Sequence, residues 1–437
     1  MTELLDRNLT RRSLLRRGAA LGAAGVFPSV LAACGGSDSG GEPDSGGGEG
    51  DIKIGVVDDR SGDFALANVP RIHAYELAVA EINGKGGVNG RKLKLVFYDG
   101  QSDVNRYQEL TQRLILKDKV DVVMAGYTSS EREAARAVAV KNKKIFWHNN
   151  QGEGGIASKY SFFTGPVPEQ QILPGVEYMT EKYGKRVYII AADYGFGQVS
   201  TQWGRVAAGL YGAEVIGSEF IPLGNSQFAA TIGRVQSKKP DWMLHFLVGD
   251  AQTQFYPQAA SSGLHLPTLS TVQLQQSYEH KRFAPPALDG MLVPTDYQEE
   301  LDLPENKAFV KQFRAKFPKE PYINENARSA YVAVNLMALA WAEAGTTDTD
   351  KTIAALESGI SFDAPGGPVT LDGAVHHCEM PIYLAEVKGR DLKFPVDFGT
   401  LKPDWLSSHM KVDLRKSNPE RQYTPGDDPE YKQYLES

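Results

Sequence analysis

The residues best equipped for chemistry lie in short polar clusters that follow apolar runs. Gly126-Tyr127-Thr128-Ser129-Ser130-Glu131-Arg132-Glu133 comes after Val120 to Ala125 and before a helical pattern. Hydroxyls beside the free N–H groups of a helix N-terminus form a donor-rich pocket for a carbonyl or carboxylate oxygen. Ser130-x-x-Glu133 also has capping-box spacing, which would occupy Ser130 and leave Tyr127, Thr128 and Ser129 as ligand-binding candidates. Phe146-Trp147-His148-Asn149-Asn150-Gln151-Gly152-Glu153 ends the next strand, and His148 and Asn150 offer a small ligand both donors and acceptors. In Asp193-Tyr194-Gly195-Phe196-Gly197 the rings of Tyr194 and Phe196 either clamp a ligand or pack between helix and sheet. Asp250 and Gln273 stand at two further strand ends. Asp250 accepts from a ligand N–H or caps helix 251–262, and Gln273 is neutral where an ammonium group would want a carboxylate.

Catalytic patterns are missing. There is no Gly-x-Ser-x-Gly elbow, Walker A loop, His-Glu-x-x-His, Cys-x-x-Cys or Gly-x-Gly-x-x-Gly after a strand. The chain therefore reads as a binder without catalytic residues or cofactor. His376-His377-Cys378-Glu379-Met380 has the residue types of a metal site. Neighbours in extended backbone point to opposite faces, however, so a hydrogen-bonded hinge strand is expected there and no metal.

What positions these clusters is an alternation of short β-rich runs and helical patterns. Strands at 52–57, 93–98 and 120–125 alternate with helices around Tyr75–Ile82, Val104–Leu114 and 131–140. A second series follows Thr164-Gly165-Pro166-Val167-Pro168, with helices at 169–183, 198–210, 227–238 and 251–262 and strands at 186–192, 214–221, 242–247 and 268–271. The fold class is α/β, two Rossmann-like lobes that each carry a parallel sheet between helices. An extended stretch at 290–297 and helices 306–317 and 327–344 follow, too few elements for a third domain. Returning them to the first lobe gives residues 51–167 plus 296–377 as lobe 1 and 168–295 plus 378–405 as lobe 2, with a C-terminal tail at 406–437. Crossovers near Gly165–Pro168, Pro294–Tyr297 and His377–Pro381 make a multi-strand hinge, and the site is expected in the cleft at the carboxyl ends of the strands.

The first residues carry an address. Thr10-Arg11-Arg12-Ser13-Leu14-Leu15-Arg16, an apolar run from Gly18 to Ala33 and Leu31-Ala32-Ala33-Cys34 read as a Tat-type lipoprotein signal over residues 1–33 with Cys34 lipidated. Residues 34–50, rich in Gly and Ser, form a tether. Removing residues 1–33 takes away five arginines and two acids and moves the formal charge from −7 to −10, which disfavours nucleic acid. No later segment is apolar enough to span a membrane, so the lipid is the anchor. Cys378 is left without a disulfide partner.

Together these motifs resemble the type I periplasmic solute-binding proteins, specifically the branch that binds urea and short-chain amides and is related to the branched-chain amino-acid binders. The markers are Asp59-Arg60-Ser61-Gly62, Glu81-Ile82-Asn83, Gly86 to Arg91, Gly126-Tyr127-Thr128-Ser129, Asp193-Tyr194, Pro304 to Val310, Phe362 to Val369 and His376-His377. The resemblance implies that Tyr127 and Ser129 line the site in the first lobe and that Asp193-Tyr194 closes over the ligand. Where that branch has a Tyr-Pro segment, this chain has His148-Asn149-Asn150, and Gly195-Phe196-Gly197 replaces a more aromatic stretch, which points to a different or larger polar ligand. The implied role is that of a monomeric, lipid-tethered binding protein of an ABC importer, exported to the cell envelope, capturing a small polar solute and delivering it to a membrane permease. An envelope sensor is the alternative, and an amide hydrolase using Ser129 the more remote one.

Overall fold

The computed structural model describes residues 50–274, 278–416 and 421–435. Residues 1–33, Cys34 and the tether as far as residue 49 lie outside them. The first lobe is built on β1 (Ile52–Asp58), β2 (Leu93–Asp99), β3 (Val122–Ala125), β4 (Ile145–His148) and β5 (Ser161–Phe163), all parallel, in the spatial order β2-β1-β3-β4-β5. β3 and β4 are buried at every position, because helices cover a parallel sheet on both faces. Those helices include α1 (Ala65–Gly84), α2 (Val104–Arg113) and α3 (Ser129–Lys141).

After α4 (Pro168–Tyr183) the pattern repeats with β6 (Arg186–Ala192), α5 (Gly195–Leu210), β7 (Glu214–Ile221), α6 (Ala229–Lys238), β8 (Trp242–Phe246), α7 (Gly249–Ser261), β9 (Thr268–Ser270), the one-turn α8 (Glu279–Arg282) and β10 (Met291–Thr295). These strands are again parallel, in the order β10-β9-β8-β6-β7. The chain then supplies α9 (Pro304–Lys316), α10 (Glu325–Ala344) and α11 (Thr349–Leu356) to the first lobe. There Phe309, Phe313, Leu336 and Trp341 share one apolar core with Tyr75 and Leu77 of α1.

The alternation does not announce what comes next, four antiparallel strands: β11 (Ser361–Ala364), β12 (Gly367–Asp372), β13 (His377–Lys388) and β14 (Asp391–Leu401). β13 belongs to both lobes. His377 pairs in parallel with Phe163 of β5, whereas Tyr383 to Glu386 pair antiparallel with β10. Two short helices end the described chain, α12 (Trp405–Met410) and α13 (Lys432–Leu435). Among the described residues no helix is long and apolar enough to cross a membrane.

The backbone passes between the half-sheets at 164–167, at 295–297 and at the start of β13. At these crossings a strand-end carbonyl that no ladder N–H reaches needs another donor, and a buried carbonyl without one costs about 1–3 kcal/mol. The first turn of α4 supplies the donors. Gln170 Nε2 lies 2.9 Å from the carbonyls of both Cys378 and Leu401, and Gln171 Nε2 lies 2.8 Å from that of Pro294. Both side chains are buried. His376 and His377 stack on Phe162 and Phe163, at 4.1 and 4.3 Å between ring centroids, and Cys378 is a buried free thiol. We expect Gln170→Leu to strand two carbonyls and cost about 3 kcal/mol or more in chemical denaturation. A loss below about 0.5 kcal/mol would remove Gln170 from the hinge account.

Candidate ligand-binding site

β3 runs into α3 through Gly126. Its φ of +87°, with a Cβ position 2.7 Å from the Arg132 amide nitrogen, makes glycine necessary there. Arg71 of α1, fully buried, fixes this turn from behind. Its Nη2 donates to the Gly126 carbonyl (3.0 Å) and its Nε to Asp58 Oδ2 (2.7 Å) at the end of β1. The amides of Tyr127 and Thr128 donate to Glu131 Oε2 (3.0 and 2.7 Å), and Thr128 Oγ1 accepts from the Glu131 N–H (3.3 Å). The capping box is therefore Thr128-x-x-Glu131, not Ser130-x-x-Glu133. The helix starts at Ser129 rather than near Glu131, and Glu133 is drawn instead to Arg132 (2.9 Å) and Arg136 (3.0 Å). Ser129 and Ser130 then sit in the first turn, where amides have no intrahelical acceptor.

Ser129 Oγ donates to Glu153 Oε1, whose second oxygen lies 2.6 Å from Arg132 Nη1. Asn150 Nδ2 donates to the Tyr127 carbonyl (2.7 Å), which holds the loop after β4 against the start of α3. The second lobe answers with Tyr194, at the N-cap of α5, and Phe196, 6.1 Å apart between ring centroids. Phe64 lies 5.0 Å from Tyr127 by the same measure. These groups enclose a cavity of ≈ 20 Å³ lined from the first lobe by Phe64, Tyr127, Thr128, Ser129, Asn150 and Gln151 and from the second by Tyr194, Phe196, Val248 and Val272. Wider spaces of ≈ 90 and ≈ 320 Å³ share Phe64 with it and are bordered by Asp63, Gly249 and Asp250. A space of ≈ 290 Å³ at the far end of the second lobe, between α7 and residues 286–291, contains none of these strand-end groups.

Six of the residues singled out by sequence, Tyr127, Thr128, Ser129, Asn150, Tyr194 and Phe196, meet in that one cavity. Asp250 borders the adjoining spaces, and it lies in the first turn of α7 rather than at its N-cap, which is Val248. His148 and Gln273 line none of these spaces. The His148 ring packs edge-on to Phe163 with Nδ1 3.5 Å from the Ala125 carbonyl. Burial, reinforced by Arg132 and Arg71, holds its pKa well below the usual imidazole range and keeps it neutral. Gln273 is fully buried, its N–H on Ser270 Oγ at 3.0 Å and its side-chain amide without a partner, while its neighbour Val272 takes the place in the lining. Sequence reading missed Phe64, Gln151, Val248 and Val272. The strand-end rule applied to the loop after β1 would have reached Phe64, but the valines carry no polar signal.

Residues 51–391 match the family of periplasmic binding proteins. The chain belongs to that family. Among its curated relatives, the Leu/Ile/Val-binding protein homolog 6 of Brucella suis is 25% identical over 350 residues, 78% of this chain and 88% of that one. The Leu/Ile/Val-binding protein of Escherichia coli K12 is 25% identical over 333 residues, 74% and 87% of the two chains. Among solved structures, an ABC transporter solute-binding protein of Rhodopseudomonas palustris HaA2 in complex with p-hydroxybenzoic acid is 25% identical with a TM-score of 0.72, covering 81% of this chain and 98% of that one. A branched-chain amino acid transporter substrate-binding protein of Streptococcus pneumoniae, in complex with isoleucine, shares the fold at 22% identity and a TM-score of 0.69, over 81% and 100% of the chains.

In this periplasmic binding protein the capping carboxylate beside the cavity is titratable. Burial, and secondarily the charge of Asp59, pushes Glu131 from 4.5 up to about 7, against the opposing pull of the Thr128 and Tyr127 amides. That displacement is worth roughly 3 kcal/mol at about 1.4 kcal/mol per unit. Because the folded-state pKa is raised, the folded protein binds the extra proton between pH 4.5 and 7, and this group's contribution to stability falls as pH rises through that window. Glu131→Gln keeps an acceptor for both amides without the charge. The melting temperature of the variant minus that of the parent should therefore grow by several degrees from pH 4.5 to 7.5 in thermal melts. A constant difference would place the Glu131 pKa near its ordinary value.

Proposed function

We propose that this chain is the extracytoplasmic solute-binding component of an ABC importer, exported by its N-terminal signal, lipidated at Cys34 and tethered beside the permease to which it delivers its ligand. The observation that carries this reading is the joint authorship of the cavity. The N-terminus of α3 forms one wall, and Tyr194 and Phe196 at the start of α5 form the other. A space of ≈ 20 Å³ holds about one water, so a ligand seated between Asn150 and Phe196 enters only when the lobes part, and its contacts with both walls favour their return. Capture and closure then need no bond to be made or broken. The tether holds the closed form near its membrane partner and raises their effective concentration.

The lining supports a ligand with an acceptor at one end and N–H donors at the other, a short-chain amide or an amino acid. The first-turn amides of Ser129 and Ser130, without intrahelical acceptors at the positive end of α3, suit an acceptor oxygen. Gln151 Oε1, buried without a hydrogen-bond partner, and the Asp250 carboxylate in the adjoining spaces suit N–H groups. Tyr127, Tyr194, Phe64 and Phe196 supply flat apolar walls around the middle of the molecule. The Leu/Ile/Val-binding relatives fit this chemistry, whereas the p-hydroxybenzoic acid bound by the Rhodopseudomonas palustris protein has no N–H donor.

Calorimetry of the purified protein against urea, short-chain amides, branched-chain amino acids and benzoates tests the assignment. Binding among the first three classes supports it, and binding of benzoates alone reassigns the ligand class. For whichever ligand binds, Tyr194→Ala should weaken affinity tenfold or more while moving the melting temperature by less than about 3 °C, since Tyr194 is only partly buried. A large stability loss with intact affinity would make Tyr194 a packing residue.

A further inference from the structure

The matched family ends at residue 391, yet the described chain continues through 392–416 and 421–435. After β14 it does not stay on one lobe. Trp405, at the start of α12, lies 5.4 Å from Trp203 of α5 between ring centroids, and the Leu406 N–H reaches Glu169 Oε1 of α4 at 3.3 Å. The chain then crosses to the loop between β4 and β5. Leu414 joins Ala157 and Val375 in a small apolar cluster, and its carbonyl accepts from the Ser158 N–H at 2.8 Å.

The second stretch runs back along the same loop. Ile156 and Gln422 form an antiparallel bridge, and the Tyr423 N–H donates to the Gly155 carbonyl at 2.8 Å. The approach is close enough that a Cβ on Gly155, whose φ is +71°, would stand 1.9 Å from the Tyr423 carbonyl oxygen. Beyond it the chain returns to α5. Tyr431 is 2% exposed with its ring 5.1 Å from that of Trp405, and the ring of Tyr434 covers Gly209, where a Cβ would be 2.1 Å away.

Both anchors are continuous along the chain with residues of the cavity lining. The loop that holds Gly155 to Ser158 contains Asn150 and Gln151, and Tyr194 and Phe196 stand at the N-cap and in the first turn of α5. Trp203 already joins them, its Nε1 3.2 Å from the Glu153 carbonyl.

We propose that residues 404–416 and 421–435 are a strap that restrains opening of the cleft by tying the Asn149–Ser158 loop of the first lobe to α5 of the second. It adds two passages of chain between the lobes to the three of the hinge. Parting Tyr194 from Asn150 requires the strap to stretch, to leave Leu414's cluster or to peel from α5. The strap thus lowers the population of the open form and slows exchange of ligand. It rests on the arrangement of the chain alone and is independent of the ligand assigned above.

A strap fails when either end is released. The test is hydrogen exchange by mass spectrometry and small-angle scattering on the purified full chain without ligand, comparing the parent with Leu414→Ala and with the paired Tyr431→Ala, Tyr434→Ala variant. Both should speed exchange tenfold or more at Tyr127–Ser130 and Tyr194–Phe196 and enlarge the radius of gyration, while β1 and β6 stay as protected as in the parent. Acceleration confined to the region of each lesion, with the cleft and the radius of gyration unchanged, would overturn the strap. Should the tyrosine variant lose protection in β1 and β6, Leu414→Ala decides by the same two outcomes.

Discussion

Two neighbouring amides, Gln170 and Gln171, hold together the part of the molecule on which everything else depends. Wherever a chain passes between two half-sheets its backbone leaves the ladder, and its polar groups need other partners in a region from which water is excluded. Placing both glutamines in the first turn of the helix that begins after the first crossing lets one element serve carbonyls of the other two. The three crossings are thereby held side by side, and the lobes are left with relative rotation about them as their main freedom. A buried ion pair sets the second crossing. Arg328 of α10, wholly buried, has Nη1 2.5 Å from Asp296 Oδ2 and Nε 2.9 Å from the Pro365 carbonyl, linking the exit of β10 to the turn before β12. Removing one partner of such a pair leaves a buried charge, which makes it a determinant of geometry more than a source of net stability.

From that hinge the site follows. Both half-sheets point the carboxyl ends of their strands toward the cleft, so the residues that leave the strands are those that meet across it. The candidate cavity adjoins the left-handed Gly126, the raised Glu131 carboxyl and the Ser129–Glu153–Arg132 network. Glu153 accepts from Ser129 and Arg132 with its carboxylate and from Trp203 of the other lobe with its carbonyl, so one residue feels both α3 and α5. Changes in α3 can therefore be felt in the position of α5 through contiguous hydrogen bonds.

The parts that escaped the sequence did so for definable reasons. β14 reads Asp-Leu-Lys-Phe-Pro-Val-Asp-Phe-Gly-Thr-Leu, alternating but interrupted by proline and glycine, and its burial alternates because one face is left exposed. β13 is buried or half-buried at every position but Lys388 because it changes partners along its length and is paired on both sides, which erases any single period. The capping box was misplaced because Thr128 and Ser130 each stand three residues before a glutamate, and only the surroundings choose between them. The amides of Tyr127 and Thr128 hold Glu131 in the cap, while Arg132 and Arg136 capture Glu133.

The sequence by itself determined the α/β alternation and set polar and aromatic clusters, around Tyr127 and Tyr194, at the ends of strands. Those are local properties, carried by hydrophobic period, proline and glycine punctuation and the direction of parallel strands. Tertiary structure alone decided which side chain at each strand end enters the cavity. His148 turns into the core as a neutral ring, and Val272 displaces Gln273, because a rotation of one position in an extended segment sends a residue to the opposite face. It also decided that a C-terminal segment of mixed, charged composition passes between the loop after β4 and α5. Those contacts join residues more than two hundred positions apart, and no local period records them.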